Sequence, residues 1–150
     1  MKYFFPLLFV SYTLFSSACS KRGCTESKSH NYNCKATKDD NTCNYWRDDF
    51  LGTYALQDTC VNSDGSTYNL MITPIEGNYD SVMISDGSAT YYGEIISESS
   101  LVIPMYIGNY MGVDYAINGS IVIESPEIYM DYVFTMNGYT RICTGKGMRQ

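Results

Sequence analysis

From Phe50 to about Thr144 the chain alternates apolar and polar residues with the period of a β-strand, and turn-forming residues interrupt that alternation about every ten positions. Tyr68, Leu70 and Ile72 share one face, as do Val82 and Ile84. The clearest run is Ile128, Met130, Tyr132 and Phe134, with Tyr129, Asp131 and Thr135 on the opposite face. No helical period of comparable strength competes with it. Turn signals fall at Asn62 to Gly65, Glu76 to Asn78, Asp86-Gly87, Asn109, Asn118-Gly119, Ser125-Pro126 and Asn137-Gly138. Asn-Gly and Asp-Gly suit two-residue hairpin turns, whose central residues need a positive φ. The pattern therefore predicts an all-β domain over residues 47–150, an antiparallel up-and-down meander of about eight strands. With one apolar face and no helices to cover it, the sheet must close into a barrel or pack as a two-sheet sandwich to bury that face and protect its edges. Cys60 and Cys143 lie at the ends of the first and last predicted strands, which are neighbours in an up-and-down barrel. A disulfide between them would staple the closure, contributing about 4–5 kcal/mol by loop entropy.

Charge is divided as sharply as hydropathy. No lysine or arginine occurs from Asp48 to Thr140, whereas that stretch carries Asp58, Asp64, Glu76, Asp80, Asp86, Glu94, Glu98, Asp114, Glu124, Glu127 and Asp131. Its field repels phosphate, so nucleic acid is not an expected partner. Lys21, Arg22, Lys28, Lys35, Lys38 and Arg47 all precede this stretch, in a polar segment almost empty of aliphatic residues.

Before that segment come Lys2, an apolar run from Tyr3 to Phe15, and Ser16-Ser17-Ala18 directly before Cys19. The run is shorter than the ~20 residues a membrane-spanning helix needs, and Pro6 would interrupt such a helix. A basic start, a short apolar core and small residues are the zones of a removable export signal. Running into a cysteine, they resemble a bacterial lipoprotein signal. The resemblance implies that residues 1–18 are removed and that Cys19 becomes a lipidated N-terminus carrying palmitate or another acyl chain. The protein is then expected in the cell envelope, anchored to the outer membrane and facing the periplasm or the cell surface. Two or more acyl chains give stable anchoring where one does not. Residues 19–46 form a basic stem, able to rest on anionic head groups at about 1 kcal/mol per charge.

The remaining cysteines, Cys24, Cys34, Cys43, Cys60 and Cys143, are odd in number; in an exported chain they imply at least one disulfide and one thiol left over. Zinc is the competing explanation, but no Cys-x-x-Cys pair is present and His30 is the only histidine, so no metal site is expected. Any Cys-His or Ser-His catalysis would have to use that one imidazole, which lies in a polar stretch far from the strands. Within the stem, Gly23-Cys24-Thr25-Glu26-Ser27, Asn31-Tyr32-Asn33, Ala36-Thr37 and Asp39-Asp40-Asn41-Thr42-Cys43 with Tyr45 follow one another in order. This series resembles a short repeat of secreted and lipid-anchored bacterial proteins that runs from Gly-Cys-Thr-Asp-Pro to Asp-Asp-Gly-Ser-Cys. In that repeat the first and last cysteines close a loop, which implies that Cys24 pairs with Cys43. Cys34 stands where the repeat has proline and is the odd thiol. Asp39, Asp40 and Asn41 are consecutive and lack the alternating spacing of calcium loops, so they read as a solvated turn.

The strand region itself resembles lipocalin-like lipoproteins, which open with Gly-x-Trp and carry an arginine on the last strand; the counterparts here are Gly52-Thr53-Tyr54 and Arg141. Phe50 to Tyr54 leading to Cys60, with Ile142-Cys143-Thr144 near the end, is similar to small bacterial lipoproteins of that architecture. Eight-stranded barrels are filled by side chains or hold one small ligand. Fifteen tyrosines and eight methionines could line such a space, although tyrosine is also simply a good strand residue. Tyr68, Leu70, Ile72, Ile128, Met130, Tyr132 and Phe134 are the expected pocket lining. The leading expectation is a noncatalytic, lipid-anchored module that binds a small apolar ligand or an envelope protein, without a cofactor. The alternatives are a structural envelope lipoprotein with a packed interior, and a hydrolase using Glu124 and Glu127. Carboxylates three apart on one strand face opposite sides, which places that pair poorly for acid–base work.

Overall fold

A computed structural model describes residues 20–61 and 65–150. Residues 1–18, expected to be a signal, Cys19, expected to carry lipid, and Asn62 to Asp64, expected in the first turn, lie outside them. After a short helical turn, α1 (Arg47–Phe50), come eight strands: β1 (Gly52–Cys60), β2 (Ser66–Ile75), β3 (Asn78–Ser85), β4 (Thr90–Ile95), β5 (Ser100–Tyr110), β6 (Val113–Glu124), β7 (Glu127–Met136) and β8 (Tyr139–Arg149). Each pairs antiparallel with the next, and β8 pairs with β1, so the meander closes into a barrel and the sandwich is excluded. Closure gives every strand a neighbour on both sides, the physical reason such a meander is stable without helices.

The predicted faces are those observed. Leu70, Ile72, Val82, Ile84, Ile128 and Met130 all point inward and are buried. Asn137-Gly138 joins β7 to β8 with φ of 52° and 76°, the positive pair a two-residue turn needs. Two turns differ from expectation. The β5–β6 turn is Met111-Gly112, and Asn109 instead serves it, accepting from Gly112 N at 3.0 Å while its amide donates to Asp114 at 2.8 Å. Asn118-Gly119 is not a turn at all but lies inside β6, paired with Val133 and Tyr132. A Cβ on Gly119 would stand 2.3 Å from the Asp131 carbonyl oxygen, so glycine is there for close strand approach rather than reversal. The β4–β5 connection, absent from the predicted turns, uses Ser97 and Ser100, whose hydroxyls meet at 2.6 Å.

The barrel has two unlike ends. At one, α1 carries Phe50 into the core and Tyr54 OH donates to the Phe50 carbonyl at 3.0 Å. The stem docks over this end. Lys28 Nζ donates to the Ile95 carbonyl at 2.8 Å and lies 3.4 Å from Asp80. Arg47 donates to the Asn78 carbonyl at 2.9 Å, and Tyr45 stacks on Tyr79 at 3.8 Å between ring centres. The Cys24–Cys43 disulfide closes the stem loop, and Cys34 is an exposed thiol. Among the described residues the other end is open, and there Cys60 and Cys143, directly opposite in register, form the second disulfide.

Candidate functional site

The closed half of the barrel is solid. Tyr54, Leu56, Leu70, Ile72 and Ile128 are wholly buried and fill it. They fit because β8 presents Gly145 and Gly147 inward, where an added Cβ would approach Leu56 within 3.0 and 2.9 Å. Toward the open end the filling changes from aliphatic to aromatic and polar, and a cavity of about 400 Å³ remains. Ligand pockets run from about 300 to 1,000 Å³, so this cup suits a small molecule.

Of the seven residues expected to line a pocket, Tyr68, Met130, Tyr132 and Phe134 do so. Leu70, Ile72 and Ile128 point inward but belong to the packed half, a correction that strand alternation could not supply, because period two reveals the face and not the depth. Tyr91, Tyr115, Ile117, Met136 and Asp58 complete much of the wall. Asp58 had a legible signal: it follows Tyr54 and Leu56 at inward positions of β1, a carboxylate where alternation calls for an apolar side chain.

Asp58 is 5% exposed. Its Oδ1 accepts from Ser66 N at 3.0 Å and from Ser66 Oγ at 2.6 Å, and its Oδ2 accepts from Tyr132 OH. The Tyr68 hydroxyl lies beside that of Tyr132. Burial pushes the Tyr68, Tyr91 and Tyr132 hydroxyls well above the ordinary value of 10.0, and for Tyr132 the hydrogen bond to Asp58 adds to the effect. These phenols therefore remain neutral and keep their O–H donors.

An aromatic series crosses the cup: Tyr91 to Tyr106 at 6.4 Å, Tyr106 to Tyr115 at 6.2 Å and Tyr115 to Phe134 at 5.9 Å. The first contact matters for the wall. β4 and β5 pair only through Glu94–Val102 and Ile95–Leu101, so nearer the mouth side chains rather than ladder hydrogen bonds join them. A Cβ on Gly108 would lie 2.5 Å from the Tyr115 ring, so that glycine makes room for the aromatic series.

Three further residues named from the sequence are Arg141, Glu124 and Glu127. Arg149, not Arg141, accompanies Tyr54: its guanidinium lies 5.9 Å from that ring and donates to the Leu51 carbonyl. Antiparallel register sets Tyr54 opposite Arg149, whereas Arg141 begins β8 at the other end and lines the cup. Glu124 and Glu127 are not three apart on one strand but face each other across the β6–β7 turn. Lys146 pairs with Glu127 at 2.8 Å and, with the Tyr129 hydroxyl, holds that carboxyl below its usual value. His30 lies 2.7 Å from Asp49 in the stem region, apart from the cup.

No protein-family profile matches the chain. No curated protein sequence matches it either. In fold it is similar to a redesigned β barrel, at 16% identity with a TM-score of 0.53, covering 69% of this chain and 94% of that one. It is likewise similar to EF1p2_mFAP2b bound to DFHBI, at 17% identity with a TM-score of 0.51, covering 67% of this chain and 93% of that one. These likenesses establish the small-barrel fold.

Proposed function

We propose that the protein is a noncatalytic envelope lipoprotein, anchored to the outer membrane through Cys19, whose barrel holds a small, largely apolar ligand in its open cup. The observation that carries the reading is the cavity of about 400 Å³ in a barrel whose other half is fully packed. A purely structural module has no need to leave one half hollow and to line it with Tyr68, Tyr91, Tyr115 and Tyr132. A chain of similar fold has been solved bound to DFHBI, so a small barrel of this kind can accommodate a small molecule.

The anchor reading draws support from the cysteines: Cys24–Cys43 and Cys60–Cys143 are paired without Cys19. The stem docks at the closed end. An anchor there directs the mouth of the cup away from the bilayer, toward ligands in the aqueous phase. Against hydrolysis, Glu127 is held in its charged form by Lys146, whereas a general acid needs a raised value.

Native mass spectrometry of the full-length protein, extracted in detergent from its own membrane, tests both parts. The expected spectrum carries an acyl mass on Cys19 and a retained small molecule, and Ile117→Trp, which fills the cup, loses the small molecule but keeps the lipid. Absence of the acyl mass refutes the anchor. A small molecule retained equally by Ile117→Trp refutes the cup.

A further inference from the structure

The cup has a charge character that an apolar ligand alone does not explain. Asp58 sits on its wall at 5% exposure, and Asp86 lies on its lining as well, against one cation among the described lining residues, Arg141. Among the described residues no lysine, arginine or histidine forms an ion pair with Asp58; its partners are the neutral donors Ser66 and Tyr132. A carboxylate removed from water without a cation is costly to keep, and a cavity that presents one is disposed to accept positive charge. The surrounding walls suit the same charge. Tyr91 is 2% exposed and lines the cavity, together with Tyr68, Tyr115 and Tyr132. Aromatic rings attract ammonium groups through their negative faces, most strongly where water is excluded.

We propose that the cup selects a small organic cation, with its ammonium group against Asp58 among Tyr68, Tyr91 and Tyr132 and its apolar body against Met130 and Phe134. This rests on the reading of the cup as a ligand site and adds the charge of the ligand to it. The chain's field favours the same sign, since no lysine or arginine occurs from Asp48 to Thr140. Diffusing cations are drawn toward such a body, more strongly at low ionic strength. The volume limits the body to a single ring or a short chain.

The test is a charge series on one shape, titrated into the intact, disulfide-bonded protein by calorimetry: 3-phenylpropyltrimethylammonium, its neutral carbon isostere and 4-phenylbutyrate. The cation is expected to bind at least about tenfold more tightly than the isostere, and the carboxylate least, with the cation's advantage falling as salt rises. Asp58→Asn, which keeps an oxygen for Ser66, should remove most of that advantage while leaving the isostere's affinity in place. If Asp58→Asn does not fold, the wild-type series with its salt dependence decides alone. Equal or tighter binding of the isostere overturns the cation proposal and leaves the apolar cup standing. Failure of all three probes to bind overturns the cup reading together with it.

Discussion

The Cys60–Cys143 bridge should be the larger of the two covalent contributions to stability, and its size follows from where the barrel closes. β1 and β8 pair from Tyr54 opposite Arg149 to Cys60 opposite Cys143, so the bond sits on the last rung of an already complete ladder. It need not create the closure in the native state. Its main effect falls on the unfolded chain, where it ties together residues 83 positions apart. The loop-entropy relation gives about 4.5 kcal/mol at 25 °C for that separation. For Cys24–Cys43, 19 positions apart, the same relation gives about 3.2 kcal/mol. Native domains have only about 5–15 kcal/mol in total. The Cys60→Ala/Cys143→Ala double variant should therefore stay folded but lose about 3–4.5 kcal/mol, with a melting temperature lower by about 10–20 °C. Urea unfolding followed by tyrosine and tryptophan fluorescence measures this directly. The m-value should rise, because the released chain exposes more surface when unfolded. A loss below about 1 kcal/mol, or one smaller than that of Cys24→Ala/Cys43→Ala, would refute the argument that constraint of the unfolded chain is what the bond supplies.

Three further outcomes follow from the strand register, the cup and its tyrosines. Gly119→Ala forces a Cβ against the Asp131 carbonyl oxygen and Tyr132 and should cost about 1–3 kcal/mol in urea unfolding; a neutral result would mean that β6 and β7 do not approach as described. Tyr132→Phe removes the donor to Asp58 Oδ2 and should cost about 1–3 kcal/mol, since it leaves a buried carboxylate oxygen without its protein partner; a change under about 0.5 kcal/mol would show that solvent in the cup replaces that donor. The hydroxyls of Tyr68, Tyr91 and Tyr132 are raised above 10.0 by burial, so only the unfolded chain loses these protons just above pH 10. Their contribution to stability is complete below that pH and declines as pH rises past it. In an alkaline titration, tyrosinate absorbance at 295 nm should include a late phase coincident with loss of the β-sheet circular dichroism signal, and a single phase that precedes unfolding would contradict the burial of these hydroxyls.

How far the sequence reaches is clearest in three strands. In β7, Ile128, Met130, Tyr132 and Phe134 were assignable to the interior because a strand without a bulge alternates its side chains between the two faces. What alternation does not convey is axial position: Ile128 is in the packed half while Phe134 lines the cavity, and the difference depends on which strands surround each residue. In β6, Asn118-Gly119 carries the composition of a hairpin turn but sits mid-strand, because glycine serves both reversal and close approach of neighbouring strands. In β8, Arg141 and Arg149 both lie on the last strand, and antiparallel pairing places Arg149, not Arg141, beside Tyr54 at the start of β1.

The sequence by itself determined the all-β class, the meander order and the inward faces, since strand period, turn chemistry and charge segregation are local properties written into neighbouring residues. It also placed Cys60 and Cys143 at strand ends that adjoin once the sheet closes. Only the tertiary structure decided that one half of the barrel is filled and the other hollow. That outcome depends on side chains from different strands meeting across the interior: Leu56 against Gly145 and Gly147 closes the space at one end, while Asp58, Tyr68, Tyr91 and Tyr132 leave it open at the other. Volume is a sum over non-local neighbours, and a linear pattern does not contain it.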